Sequence, residues 1–197
     1  MNNPILLDLP DSIETERLLL RCPMPGDGKA LCAAINDTIE DLRLYFPWAQ
    51  KAPTPEESEQ KARSSRIEYL ERTDFEFYWI LKESGKLVGC SGLHRIKWEI
   101  PKFMMGYWTR TGYRKRGYAA EAVSAISNFT MKTFGAKRIE LLIDPENIAS
   151  RKLAEKLGFK LEGELRNARI DNEGVVRNDL IYSIVPEDWS ALFSQSL

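Results

Sequence analysis

Histidine is almost missing: the 197 residues hold a single one, His94. A serine or cysteine triad would have to use it. Cys90 and His94 fall in one predicted strand, four positions apart, which puts them on one face but about 13 Å from each other, too far for a base to activate a nucleophile. Cysteine is scarce too. Cys22, Cys32 and Cys90 are an odd number without metal-ligand spacing. Neither a disulfide framework nor a metal site is expected, and free thiols suit a reducing cytoplasm. No apolar run approaches the roughly 18 residues of a membrane span. The stretch Met1–Asp11 lacks the charged start and apolar core of a secretion signal. An excess of one charge is also missing, with 28 Lys and Arg against 29 Asp and Glu and no block of like sign. That speaks against nucleic-acid and membrane-surface partners.

What is present suits one α+β domain over residues 1–197, long enough for a well-buried core and short for two. Glu16–Arg21 reads as an opening strand, ended by Pro23, Pro25 and Gly26. A helix follows over Asp27–Ile39, then the aromatic piece Leu44–Trp48. Pro55, with Glu56 and Glu57 behind it, opens a charged helix to about Arg72. The middle is β. Phe75–Lys82 and Lys86–Lys97 form a hairpin around Glu83–Gly85, and Phe103–Arg110 follows with Gly106 as a candidate bulge. The period then changes from two to about 3.6 over Ala119–Phe134, which Gly135 ends. Ile139–Ile143 is a short strand and Asn147–Leu157 a helix stopped at Gly158. Lys160–Ile170 and Val175–Ile184 are the last two strands, and the whole makes a central mixed sheet.

The most informative junction is Arg114-Lys115-Arg116-Gly117-Tyr118-Ala119, between a strand and a helix. A helix N-terminus leaves backbone N–H groups unpaired and carries partial positive charge. Glycine and alanine let a bulky anion approach, and three cations add to the field, so the junction suits a pyrophosphate. Read alone, it is equally well a solvated basic turn.

At this loop the chain resembles the GNAT acetyltransferases, whose signature Gln/Arg-x-x-Gly-x-Gly/Ala is met by Arg114, Gly117 and Ala119. Further matches follow in order. Asn147, Ser150, Lys156–Phe159 and Glu162–Gly163 look like the branch that holds bacterial ribosomal-protein alanine and serine N-acetyltransferases. Thr15–Arg21, Gly106–Trp108, Tyr182–Ser183 and Glu187–Trp189 fit it as well. The resemblance covers nearly the whole chain. It implies a mostly antiparallel mixed sheet of about seven strands and about four helices, with a splay between central strands that receives acetyl-CoA. It implies no metal.

By the same resemblance, Tyr107, Trp108 and Thr109 would pair with the pantetheine arm, and residues 114–119 would hold the phosphates. Asn147 is either a helix cap or a cofactor contact, and Gly158–Phe159 reads as a helix C-cap without chemistry. Many relatives place a tyrosine, as acid for the departing thiolate, four residues before the Gly-Phe pair. Here that position is Ala154, and the branch's serine, Ser150, would take the role unless it is only a first-turn residue. The usual carboxylate positions for a base are Met104 and Arg169, which leaves Glu99, Glu76 and His94 as candidates acting through water. Tyr45, Trp48 and His94 are candidates for the acceptor side.

The acceptor implied first is a protein N-terminal α-amine, whose pKa of about 7.7–8.0 asks less of a base than lysine's roughly 10.4. A small amine (polyamine, aminoglycoside or amino acid) is the alternative acceptor. A non-catalytic acyl-CoA sensor is the alternative from another class, and a homodimer is implied by the branch alone.

Overall fold

Alternation along Phe75–Leu81 decides the layering. Successive side chains of a strand point to opposite faces, and Phe75, Phe77 and Trp79 on one face and Tyr78 on the other are all fully buried. Both faces of the sheet must therefore be covered. In the computed structural model, which describes residues 3–193, they are. The strands are β1 (Ser12–Glu14), β2 (Leu18–Arg21), β3 (Phe75–Leu81), β4 (Lys86–Lys97), β5 (Lys102–Thr109), β6 (Arg138–Ile143), β7 (Lys160–Ile170) and β8 (Val176–Ile184). The helices are α1 (Gly28–Asn36), α2 (Ile39–Tyr45), α3 (Pro55–Glu71), α4 (Tyr118–Phe134), α5 (Ile148–Lys156) and α6 (Pro186–Phe193). Helices α1 to α3 cover the Tyr78 face with Leu31, Ile35, Leu42 and Ala62. Helix α4 covers the other with Ala122, Val123, Ile126 and Phe134, and Ala154 of α5 joins the same core.

Strand order is β1-β2-β3-β4-β5-β6-β8-β7. Every neighbouring pair is antiparallel except β5 and β6, which run parallel. The mixed α+β sheet is thus as expected, with the short β1 as an eighth strand and α2 and α6 as further helices. The helix expected over Asp27–Ile39 is two. The Thr38 hydroxyl donates to the Ala34 carbonyl at 2.8 Å where α1 ends, and the chain turns before α2. Nor is Gly106 a bulge. It stands opposite Gly92 in regular register, and the irregularity lies between His94 and Lys97. Among the described residues no helix is long and apolar enough to cross a membrane.

Local signals place the helices. Thr54 and Glu57 close a capping box on α3 behind Pro55, satisfying two otherwise unpaired donors. Helix α4 begins after Gly117 and ends at Gly135, both left-handed at φ 84° and 61°, a conformation that costs glycine little.

The core's densest point is Phe134, 1% exposed. It stacks on Phe75 and Phe103 at 4.9 and 5.2 Å and meets Trp98 and Phe129 edge-on. Phe134→Ala would empty the contact between α4 and β3–β5, so we expect a loss of about 3–5 kcal/mol in urea unfolding, with the chain still folded at low temperature.

Candidate active site

The ladder between β5 and β6 holds for three rows, Lys102 with Arg138 to Met104 with Glu140, and then stops. Both strands continue. Strand β4 follows β5 up to Thr109, and β8 follows β6 up to Ile143. One edge of Met105–Trp108 therefore lacks a strand partner. A cavity of about 900 Å³ opens there, lined from both sides by Met105, Tyr107, Leu141 and Ile143. It passes from one face of the sheet to the other. Tyr107 reaches α5 on the α4 side, while Met104, Gly106 and Trp108 alternate to the side of α1 to α3.

At one end of this gap stands the N-terminus of α4. Its cap, Gly117, offers no side chain, so the first N–H groups of Tyr118 and its neighbours have no capping partner. Arg114, Lys115, Arg116 and Gly117 are all exposed. The loop is held from outside the motif. The Arg17 guanidinium donates to the Arg116 carbonyl at 2.8 Å and to the Glu121 carboxylate at 2.7 Å, and it lies 4.6 Å above the Tyr118 ring. Thr15 donates to the same carboxylate at 2.6 Å. Burial alone would raise the Glu121 carboxyl, but the hydrogen bonds from Thr15 and Arg17 hold it below its ordinary value. Arg114 pairs with Asp41 at 2.8 Å. Ala119 sits in the first turn of α4, and the Thr109 carbonyl accepts from Arg114.

At the other end the first turn of α5 projects a hydroxyl. Asn147 caps the helix by accepting from the Ser150 N–H at 3.1 Å. The Ser150 hydroxyl lies 2.8 Å from the Tyr107 hydroxyl. Burial raises Tyr107 to about 12, with the Ser150 bond opposing it. That phenol is protonated near neutral pH. Sequence reasoning had given Tyr107 only a backbone role. Its hydroxyl brings a phenol to Ser150 from β5 although α5 carries Ala154 where many relatives have a tyrosine.

The remaining wall lies towards α1 to α3. Tyr45 and Trp48 line the mouth, Trp48 being 54% exposed. The turn between β7 and β8 closes over them, because the Asn172 amide donates to the carbonyls of Arg43 and Phe46 at 2.9 and 3.0 Å. His94 and Glu76 also line the cavity. Glu99 does not. It sits exposed in the turn between β4 and β5, apart from the residues that line the cavity. Arg169 replaces a carboxylate but brings two with it, pairing with Asp144 and with Asp179. Arg177 also holds Asp144 and reaches Glu146. The signal for this cluster was not local, since its members come from the end of β6, from β7 and from β8.

Residues 17–160 match the acetyltransferase (GNAT) domain family, and the chain belongs to it. It is an acetyl-CoA-dependent N-acetyltransferase. An uncharacterized N-acetyltransferase of Bacillus subtilis (strain 168), YoaA, is 25% identical over 173 residues, covering 88% of this chain and 96% of that one. The ribosomal-protein-serine acetyltransferase of Escherichia coli (strain K12) is 24% identical over 159 residues, 81% of this chain and 88% of the relative. Among solved structures, RimL, a ribosomal L7/L12 α-N-protein acetyltransferase in complex with coenzyme A, has a TM-score of 0.83 at 18% identity, covering 88% and 97% of the two chains. That likeness shows the fold.

The Asp144 side chain is 1% exposed and grips two arginines. Its removal would leave the half of Arg169 that faces it charged and unpaired. Asp144→Ala is expected to destabilise the chain by about 3 kcal/mol, read as a lower urea midpoint.

Proposed function

We propose that acetyl-CoA fills the gap between β5 and β6 and that its acetyl group passes to the N-terminal α-amine of a protein, of the ribosomal-protein type. The observation that carries the cofactor's placement is the missing ladder after Met104. Buried backbone donors and acceptors need partners, and an extended arm bearing amides supplies them as an added strand would. Tyr107, Trp108 and Thr109 pair with that arm. Arg114 to Ala119 take the pyrophosphate on the uncapped start of α4. The thioester then lies by Asn147 and Ser150.

A neutral amine attacks a thioester without help from an enzyme nucleophile. The protein's contribution is to hold the reactants together and manage two protons. Ser150 protonates the departing sulfur, and Tyr107, 2.8 Å behind it, donates to Ser150 in turn. The acceptor enters from the opposite face, between Tyr45 and Trp48. A cavity of about 900 Å³ is near the top of the range for small-ligand pockets. It has room for the thioester end of the cofactor together with the end of a peptide. The ribosomal acceptors named for two of the relatives favour a peptide terminus over a polyamine, an aminoglycoside or an amino acid.

Thioester cleavage measured with N-terminal peptides and with small amines tests the acceptor. Turnover at least tenfold faster on peptides is expected, and turnover on small amines alone would overturn the reading. Gly117→Glu should cut acetyl-CoA affinity by more than a hundredfold in a folded protein, because it puts bulk and negative charge at the anion site. Ser150→Ala should lower kcat roughly ten- to a hundredfold, the low end for acid catalysis, and leave acetyl-CoA affinity unchanged. A kcat within about twofold of the parent would make water the acid.

A further inference from the structure

Acetyl transfer releases a proton from the acceptor nitrogen, and none of the usual carboxylates is in place to take it. We propose that Asp74 and His94 form the base, with His94 as the catalytic residue and Asp74 as the residue that positions it. The proposal rests on the placement of the thioester in the gap between β5 and β6.

The sheet itself builds the pair. Phe75 faces Leu93 across β3 and β4, so one further step puts Asp74 opposite His94. His94 in turn faces Met104 of β5. The imidazole Nδ1 lies 2.7 Å from the Asp74 carboxylate. A carboxylate only accepts, so in the neutral imidazole Nδ1 carries the proton and Nε2 keeps its lone pair.

A glycine decides where Nε2 points. Gly92 and Gly106 face each other across β4 and β5, and the ring lies over them. A Cβ added at Gly92 would come within 2.3 Å of the ring's Cε1 and Nε2, and one at Gly106 within 3.7 Å of Nε2. Gly92 clears a bay that the imidazole occupies, and Gly106 borders it at van der Waals distance. Its free nitrogen is directed across Gly106, into the cavity where β5 loses its partner. Immediately beyond, Arg95 takes a left-handed φ of 48° and the regular register ends. Such strained positions cluster where a side chain must be aimed.

The competing carboxylates are occupied. Glu76 accepts from Ser65 and from Cys90 and pairs with Lys61 at 3.2 Å. Asp144 and Asp179 are held by arginines. In the transfer step the nitrogen lone pair forms the new C–N bond and the C–S bond breaks. The sulfur leaves with that bond's electrons and takes the Ser150 proton. Tyr107, 2.8 Å from Ser150, replaces that proton and regains its own from solvent. The proton on nitrogen goes to Nε2, and the imidazolium so formed faces the Asp74 carboxylate, then passes the proton to solvent at the cavity mouth.

The test uses whichever amine the acceptor panel turns over fastest, so an error in the acceptor class does not affect it. His94→Ala should lower kcat by about 10²- to 10³-fold, within the range for general base catalysis, with the acetyl-CoA Kd within twofold of the parent. Added imidazole should restore at least a tenth of the lost rate, saturably, by filling the emptied bay. The rescue should vanish in the Asp74→Asn, His94→Ala double variant, which no longer orients the guest ring. Asp74→Asn alone should lower kcat about tenfold and leave the acetyl-CoA Kd unchanged. His94→Gln covers the case in which alanine disturbs the strand. It fills the bay and bonds Asp74 but offers no base, and it should be as slow as His94→Ala. A His94→Gln enzyme within twofold of the parent would overturn the proposal, and so would a His94→Ala enzyme that imidazole does not rescue.

Discussion

Three rows of parallel pairing between β5 and β6, and then none, is the constraint on which the rest depends. Parallel strands pair only through a crossover, and here the crossover is α4, whose uncapped start follows the end of β5 after the loop 110–117. Had the ladder continued to Thr109, the sheet would be closed and the backbone of Met105–Trp108 fully engaged. The break leaves that edge to be completed by a guest chain and opens a passage through the sheet. Each face then contributes different chemistry, hydroxyls from the α5 side and an imidazole and aromatics from the side of α1 to α3.

Much of this was legible in the sequence, for identifiable reasons. Features that depend on neighbours a few residues apart could be read directly: the glycines that stop α4 and α5, the proline that opens α3, and the hairpin around Gly85. The loop over Arg114–Ala119 was legible for the same reason, since the anion site proposed there lies in consecutive backbone groups. Features set by register were not. Asp74 and His94 are twenty positions apart and meet only because β3 and β4 pair with Phe75 against Leu93. Periodicity gives the face of a strand but not which residue stands opposite. Gly106 illustrates the cost: a glycine inside a strand suggests a bulge, whereas here it stands in regular register opposite Gly92, the glycine that makes room for the His94 ring. Short α2 and the three-residue β1 carry too few turns or alternations to stand out.

The opening segment shows how a residue outside a motif can hold the motif in shape. Thr15 and Arg17 do not touch the cavity, yet both bind Glu121 in the first turn of α4, and Arg17 also holds the Arg116 carbonyl. A carboxylate there complements the helix dipole, but it also competes for the cations that an incoming phosphate would use. Engaging Glu121 from below directs its charge away from the loop. The N–H groups proposed to take the phosphates are then held in place beforehand, which would reduce the ordering cost of binding.

The Asn172 amide, bound to the carbonyls of Arg43 and Phe46, joins two stretches of chain more than a hundred residues apart over the cavity mouth. Two neutral hydrogen bonds of this kind are together worth about 1–3 kcal/mol. A turn tied by so little can shift without disturbing the strands beneath it. Admission and chemistry are thereby separated. The proposed way in for the acceptor passes a turn tied by one amide, whereas the groups proposed to react sit on strands and a capped helix. A chain with this layout can change which acceptors it admits by altering one turn, at no expense to the machinery below it.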